Sequence, residues 1–432
     1  MSMRLAYIAA GAAGMYCGSC IHDNTLARAL IRRGVDVALL PTYTPIRTDE
    51  EDVSEDRVFF GGINVYLQNK ASLFRHTPWV LDRLLDRPGL LNSLSRFAGS
   101  TSAVDLGSLT VSMLEGADGP HAKELEKLLV WLREFQPDIV QLTNSMFLGF
   151  AQPISEALNV PVIVAFQGED IFLDALDDPY RERARALMRD HGQKADGFIA
   201  TSLWYADFMA EYVQLSAESI DVVPLGLDLS GHIAKNDESI DGRFRIGYLA
   251  RICPEKGLHI LAEAFRVLAD RNGKDHLSLH VAGWLGKRDE AYFHSVRDQL
   301  VSWGLGDQVS YLHDFGRDEK IEFLSGIDVL SVPTPYREPK GLFALEAMAN
   351  GVPIVQPNHG AYPEYVARTG GGILVPSPTP KDVAEGIQKL IDDPELRSQL
   401  SERGAAGVRD YYTDDRMAED TLRVYRRHLD AA

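Results

Sequence analysis

The chain has 432 residues, 45% of them apolar and 9% aromatic. That is too long for one ordinary hydrophobic core and has the balance of a folded globular protein, so two domains of about 200 residues each are expected. A formal charge of −18 argues against a nucleic-acid binder and against adsorption to anionic membrane by overall charge, and no run of about 18 apolar residues is present to cross a bilayer.

In chain order, apolar strand-like runs alternate with amphipathic helical patterns. The first half predicts strands at 4–10, 35–40, 138–142, 161–166, 197–201 and 221–223, with helices such as 24–33, 122–134 and 203–212 between them. The second half predicts strands at 244–249, 277–282, 309–312, 329–332, 354–356 and 372–375, separated by helices at 258–270, 291–302, 343–350, 381–392 and 396–405. Strands joined by helical crossovers make parallel sheets covered on both faces, so the fold class is α/β. The polar, glycine-containing stretch 224–242 between two strand runs is the linker. Two doubly wound halves place a ligand in the crevice at the carboxyl ends of their strands.

The first residues, MSMRLAYIAAGAAGM, are best taken as strand, glycine loop and helix entry rather than a weak signal peptide. Three cysteines, an odd count, fit a reducing cytoplasm. Cys17 and Cys20 have the C-x-x-C spacing of a redox or half-zinc pattern, with Cys253 and His22 the conceivable further ligands. Without paired spacing elsewhere, no metal or redox cofactor is expected. Residues 79–97 are apolar with Arg83, Arg87 and Arg96 interleaved. They predict a helical insertion packed on the first domain, the sharper alternative being an acceptor or peripheral membrane-surface element.

The most informative stretch is 331–353, SVPTPYREPKGLFALEAMANGVP. Glu338 follows an apolar strand-like run, and Glu346 stands eight residues later inside a helical pattern. Gly341 between them lets backbone approach a ligand closely. A helix opening at such a loop aims free N–H groups and its positive dipole end into the cleft. Two carboxylates and a helix N-terminus suit something both polyhydroxylated and anionic, such as a sugar nucleotide. Arg251 and Lys256 lie five apart on a loop broken by Pro254, between a strand and a helix. An Arg can fork two phosphate oxygens, while a Lys acts as a point charge. The plainer reading of each group, taken alone, is a solvated loop cation or helix-end acid.

Residues 338–347, EPKGLFALEA, resemble the E-x7-E signature of the retaining group 1 glycosyltransferases (glycosyltransferase family 4, which includes sucrose synthases). GYLARICPEKG, 247–257, resembles the family's diphosphate-gripping G-R-x-x-x-x-K-G. Gly360, Pro363 and Glu364 resemble its G-G-x-P-E-x-V, with Ala361 for the second Gly. The spacing from Gly18 to 26–30 resembles the glycine loop and first helix, and 416–429 the closing helix. The likeness covers nearly the whole chain; it is strong over 245–376 and loose over 50–135.

The resemblance implies a GT-B fold. Two doubly wound Rossmann-like domains face each other across a cleft: 1–225 for the acceptor and 226–408 for the nucleotide sugar, with a helix in 409–432 returning to the first. It implies a hexosyltransferase using a nucleoside-diphosphate sugar, UDP favoured, and an unidentified hydroxyl acceptor, without a metal, as monomer or homodimer. Glu338, Arg251 and Lys256 would be catalytic. Glu346, Gly341, Leu342, Phe343, Gly18 and Gly14 would bind the donor, Glu346 through the ribose diol and the N–H groups near 341–343 through sugar hydroxyls. Gln167 stands where many relatives have His, so this position would bind rather than titrate. Glu169 and Asp170 would hold acceptor hydroxyls. Lys340 departs from the usual pattern after the first Glu; it would read an acidic sugar or acceptor phosphate, or point to solvent, the latter favoured. A nicotinamide oxidoreductase is disfavoured, because its G-x-G-x-x-G and strand-ending acid are missing. A GT-B epimerase or phosphorylase and a non-catalytic sugar-nucleotide binder remain the alternatives.

Overall fold

The computed structural model describes residues 2–11, 18–55, 103–232, 242–313 and 315–431, and only the helical backbone of 103–106. Gly14, Cys17 and the segment 79–97 lie outside the described residues. The chain divides into two compact units, Met1–Gly226 with Asp414–Ala432, and Leu227–Thr413.

The first unit is built on a parallel sheet of β1 (Arg4–Ala9), β2 (Asp36–Pro41), β3 (Ile139–Leu142), β4 (Val162–Phe166), β5 (Gly197–Ala200) and β6 (Ile220–Val222), among the described residues. Their spatial order is β2-β1-β3-β4-β5-β6. Alternate residues of each strand serve opposite faces. Ala6, Ile8, Val140, Leu142, Val164 and Phe166 face one core cluster. Leu5, Tyr7, Ala9, Ile139, Ile163 and Ile199 face the other. Apolar side chains cover both faces, and strand order reverses between β1 and β3.

The second core cluster is completed by the last helix, Asp414–Ala431, which contributes Met417, Ala418, Leu422, Val424 and Tyr425. It is pinned to the helix Gly18–Arg32 by Arg32, which donates to Asp414 at 2.6 Å. The Tyr425 hydroxyl donates to Gln141 of β3. The break before this helix falls after Thr413 rather than at 408, because the preceding helix, Pro394–Tyr411, outruns the 396–405 expected for it. Its end is tied to the second unit by the Leu227 N–H bonding Tyr412 O at 2.9 Å.

The second unit repeats the plan with β7 (Phe244–Leu249), β8 (Leu277–Ala282), β9 (Val309–Leu312), β10 (Val329–Leu330), β11 (Ile354–Pro357) and β12 (Gly372–Val375). Their order is β12-β11-β10-β7-β8-β9, all parallel. Here the order reverses between β7 and β10. The loops leaving those two strands carry Arg251 to Lys256 and Thr334 to Gly341, so the topology alone brings the sequence's two strongest motifs side by side.

Ending the chain after Thr413 removes five core side chains from the first unit. At roughly 1.5–3 kcal/mol for each large one, the loss is of the order of a domain's whole net stability. The shortened chain is expected to lose its cooperative urea transition for the first unit; an unchanged transition midpoint would show that the last helix contributes nothing to that core.

Candidate active site

In the second unit β7 ends at Leu249, and the chain turns through a short 3-10 helix, Pro254–Lys256, into the helix Leu258–Asn272. Gly257 makes that turn possible. Its φ is +72°, and a Cβ there would sit 2.2 Å from the Pro333 carbonyl oxygen. The β7 and β10 loops therefore touch backbone to backbone, and Lys256 is delivered onto the β10 loop. Its ammonium donates to Glu338 Oε2 at 2.5 Å and to the Tyr336 hydroxyl at 2.5 Å. The Tyr336 hydroxyl in turn donates to Glu338 Oε2 at 2.6 Å. The faces of Tyr336 and Phe343 lie 5.1 and 5.7 Å from the ammonium, within cation–π range.

Glu338 is only 4% exposed. Burial by itself would push its pKa up; the Lys256 charge and the bonds from Lys256, Tyr336 and Gly341 outweigh this and hold it below the ordinary carboxylate value. Its Oε1 accepts from the Gly341 N–H at 3.2 Å and, more weakly, the Lys340 N–H at 3.4 Å. The Gly341 N–H thus serves the carboxylate. Leu342 and Phe343 open the helix Leu342–Ala349, where N–H groups have no carbonyl a full turn back. Gly360, from the β11 loop, has a φ of +63°, and a Cβ on it would meet the Glu338 carbonyl at 2.3 Å. The Ala361 N–H bonds that same carbonyl at 2.9 Å, which gives the G-A-x-P-E segment a physical role: it seats Glu338.

Arg251 is exposed, donates through Nε to Cys253 Sγ at 3.4 Å, and lies within electrostatic reach of Tyr336. Cys253 is buried, and burial pushes its thiol up despite Arg251. Among the described residues no group of three or more His, Cys, Asp or Glu is arranged to hold a metal. Lys340 is buried at 9% exposure rather than turned to solvent.

Glu346 belongs to a different cluster. Its Oε1 accepts from Lys320 at 2.6 Å, with both side chains buried. The Asn350 amide bonds the Glu346 carbonyl at 2.9 Å and the His232 ring at 2.7 Å. Burial drives His232 down to about 4. The E-x7-E spacing thus separates one carboxylate shared with Lys256 from another shared with Lys320.

In the first unit the glycine loop leaves β1 at Gly11, whose φ is +82° and whose Cβ would strike the Thr44 carbonyl at 1.9 Å. Gly18 is the first residue of its helix, which begins six residues earlier than the apolar period predicts. That extra turn carries Asp23, 1% exposed, to the β1–β3 reversal. Asp23 accepts from Tyr7 at 2.5 Å, Thr143 at 2.5 Å and Gln167 Nε2 at 2.6 Å. Gln167 Nε2 also reaches the Thr143 carbonyl at 3.0 Å, so its amide nitrogen is directed inward. Glu169 accepts from the Ser145 N–H and hydroxyl at 2.9 and 2.5 Å and from the Gln167 N–H at 2.7 Å. These bonds make Glu169 a clamp between the β3 and β4 ends, not the hydroxyl-holding group expected. Asp170 accepts from the Tyr205 hydroxyl at 2.7 Å. Burial first, then neighbouring Glu169, raises it to about 6.

Lys256 and Glu338 are therefore joined, with Tyr336, at one strand-order reversal, while Gln167 and Glu169 are tied into the framework at the other. Sequence reasoning missed Tyr336, Lys320 and Asp23. Tyr336 had one signal, its place two residues before Glu338. Lys320 and Asp23 look like ordinary helical polar residues, and only tertiary contact shows their partners.

Comparison with known proteins places these features. A family model for glycosyl transferases group 1 matches residues 232–406, and one for a glycosyl transferase 4-like domain matches 24–226. The D-inositol 3-phosphate glycosyltransferase of Pseudarthrobacter chlorophenolicus is 26% identical over 93% of this chain and 97% of its own length. The proteins of that name from Paenarthrobacter aurescens and Corynebacterium efficiens are 29% and 26% identical over 57% and 54% of this chain. The chain matches only 62% and 57% of those two proteins' lengths. Among solved structures, a sucrose-phosphate synthase from Thermosynechococcus elongatus aligns over 100% of both chains, with a TM-score of 0.72 and 17% identity. Anabaena HepE in complex with UDP and glucose aligns over 98% of this chain and 100% of its own, with a TM-score of 0.68 and 15% identity. At these identities the two structures establish the shared fold.

The two buried carboxylates should respond to pH with opposite sign. Glu338 is depressed in the folded state, so its stabilisation is present above the ordinary carboxylate range and is lost as pH falls through its folded value. Glu338→Gln leaves Lys256 uncompensated and is expected to cost roughly 3 kcal/mol at pH 7, with the gap to the parent closing toward pH 4. Asp170 is raised, so its charge is a burden that grows as pH rises through about 6. Asp170→Asn should raise the melting temperature at pH 7.5 relative to pH 4.5. Melting curves from pH 7.5 to 4.5 test Asp170, and their extension down to pH 3 tests Glu338; pH-independent offsets over those windows would refute the assignments.

Proposed function

Because the chain belongs to the group 1 glycosyltransferases, we propose that it transfers a hexosyl unit from a nucleoside-diphosphate sugar to a hydroxyl acceptor, with retention of anomeric configuration and without a metal ion. UDP is the favoured carrier, in keeping with the UDP and glucose held by the similarly folded HepE. The observation that carries this reading is Lys256 beside Glu338 and the start of the helix Leu342–Ala349, on the two loops that meet where strand order reverses.

As the bond from the anomeric carbon to the diphosphate breaks, negative charge gathers on the leaving oxygens. Fixed positive groups there stabilise the transition state more than the ground state. Lys256 is oriented for this by Tyr336 and Glu338, and it retains one of its three N–H donors. Arg251, exposed on the same loop, adds a planar fork suited to phosphate oxygens. The N–H groups opening the helix at Leu342 add partial positive charge. Glu346, buried and paired through one oxygen with Lys320, has its other oxygen for the ribose diol. No Asp or Glu is assigned as a nucleophile. The leaving phosphate oxygen takes the acceptor's proton on the same face, and the protein contributes positioning and electrostatics. Asp170, with its raised pKa and its place after β4, is the remaining group for an acceptor hydroxyl. Glu169 and Gln167 support it from beneath.

Glu346→Ala should weaken UDP-sugar binding about 10- to 100-fold with a smaller change in kcat, since it removes charge-assisted hydrogen bonds. Lys256→Ala should lower kcat about 100-fold or more. A thermal-shift screen of nucleoside diphosphates and their sugars identifies the donor, and turnover in EDTA tests metal independence. Full activity in both variants would discard the site, activity lost in chelator and restored by magnesium would refute the metal-free reading, and nucleoside diphosphate released without acceptor would point away from transfer.

A further inference from the structure

Lys256, Tyr336 and Glu338 form a closed hydrogen-bond triangle, and the triangle raises a question that a simple ion pair does not. An anionic ligand reaching Lys256 competes with Glu338 for the ammonium. Glu338 is 4% exposed, so water does not replace what it would lose. A second donor on the same oxygen is therefore needed for the ammonium to be shared.

Tyr336 is that donor. Its hydroxyl bonds Glu338 Oε2 at 2.6 Å and accepts from Lys256 at 2.5 Å. An ammonium has no acceptor, so the phenol proton has only the carboxylate to go to. Burial and the nearby carboxylate keep that phenol protonated, well above its ordinary pKa. With the Gly341 and Lys340 N–H groups on Oε1, the phenol gives Glu338 three donors that do not depend on Lys256.

We propose that Tyr336 is a positioning residue which holds Glu338 in its charged form while Lys256 turns toward the diphosphate of the donor, so that one lysine serves both carboxylate and ligand. This rests on the donor site described above. Around the carboxylate, Tyr362 and Tyr365 are held protonated by burial, and His359 is held below its ordinary pKa by burial. Arg251 and Cys253 face Tyr336. Lys256 and Tyr336 are thus the groups that decide the protonation of Glu338.

Tyr336→Phe keeps the ring over the ammonium and removes only the hydroxyl. In the ligand-free protein, the variant should melt lower than the parent at neutral pH, and the offset should shrink as pH falls below the ordinary carboxylate range. Glu338 would then be less depressed, and its contribution disappears as pH falls through its folded pKa. With UDP as the probe, the variant should bind at least tenfold more weakly than the parent at pH 8, a deficit that narrows toward pH 5.5 as Glu338 takes up a proton on binding, and Tyr336→Phe combined with Glu338→Gln should abolish that pH-dependent difference. A melting offset constant from pH 8 down to pH 3, with parallel UDP profiles, would overturn the proposal and leave the donor site standing. A parent protein that binds no UDP at any pH would count against the donor reading, while the ligand-free melting series would still decide the role of Tyr336.

Discussion

A carboxylate removed from water must be matched by donors, and at Glu338 that requirement organises the surrounding loops. Its two oxygens take Lys256, Tyr336, Gly341 and Lys340. Its backbone is seated by Gly360 and Ala361, where a side chain on Gly360 would collide. The β7 loop is pressed against the β10 loop at Gly257 and Pro333, so Lys256 reaches the carboxylate without an extended side-chain search. Three loops from three neighbouring strands are therefore fixed by one charged group. Rigid placement of Lys256 follows from the stability of the fold rather than from a ligand, which is the condition for electrostatic preorganisation.

The first unit solves a related problem with a different result. Asp23 gathers Tyr7, Thr143 and Gln167, and Glu169 gathers Ser145 and the Gln167 N–H. Both carboxylates join the ends of adjacent strands and are used up in doing so. Asp170 accepts from Tyr205, and burial, with Glu169 beside it, raises its pKa. Asp23 and Glu169 each take donors from more than one strand end, while Asp170 accepts from the Tyr205 phenol. The last helix adds a third kind of constraint: its apolar face completes the core over β1, β3 and β4, so the end of the chain is part of the first unit's interior.

Much of this was legible in sequence. Strand β4, VIVAF, and strand β8, LSLHVA, are apolar runs between turn signals, and buried parallel strands leave that trace because both faces need apolar residues. Lys256, Gly341 and Glu338 showed themselves through spacing, since a glycine at a turn and a charge at a strand end are local features. The misassignments were tertiary. Glu169 and Gln167 sit in the expected place, yet nothing local reveals that the Ser145 N–H and the Asp23 carboxylate point at them. Lys340 was expected in solvent because a lysine usually is; its burial depends on what folds over it.

The sequence by itself determined the alternation of strands and helices, the division into two α/β units, the family, and the positions of the Glu338, Lys256 and Glu346 groups. The alternation and the division are set by periodicity, and the family by the resemblance of its short motifs. The tertiary structure alone decided that Tyr336 stands between Lys256 and Glu338, that Lys320 pairs with Glu346, and that Asp23 and Glu169 are framework. Those outcomes depend on which atoms meet across 24 to 144 residues of chain. A hydrogen-bond donor facing a buried acid is selected by that meeting in space, and sequence distance carries no record of it.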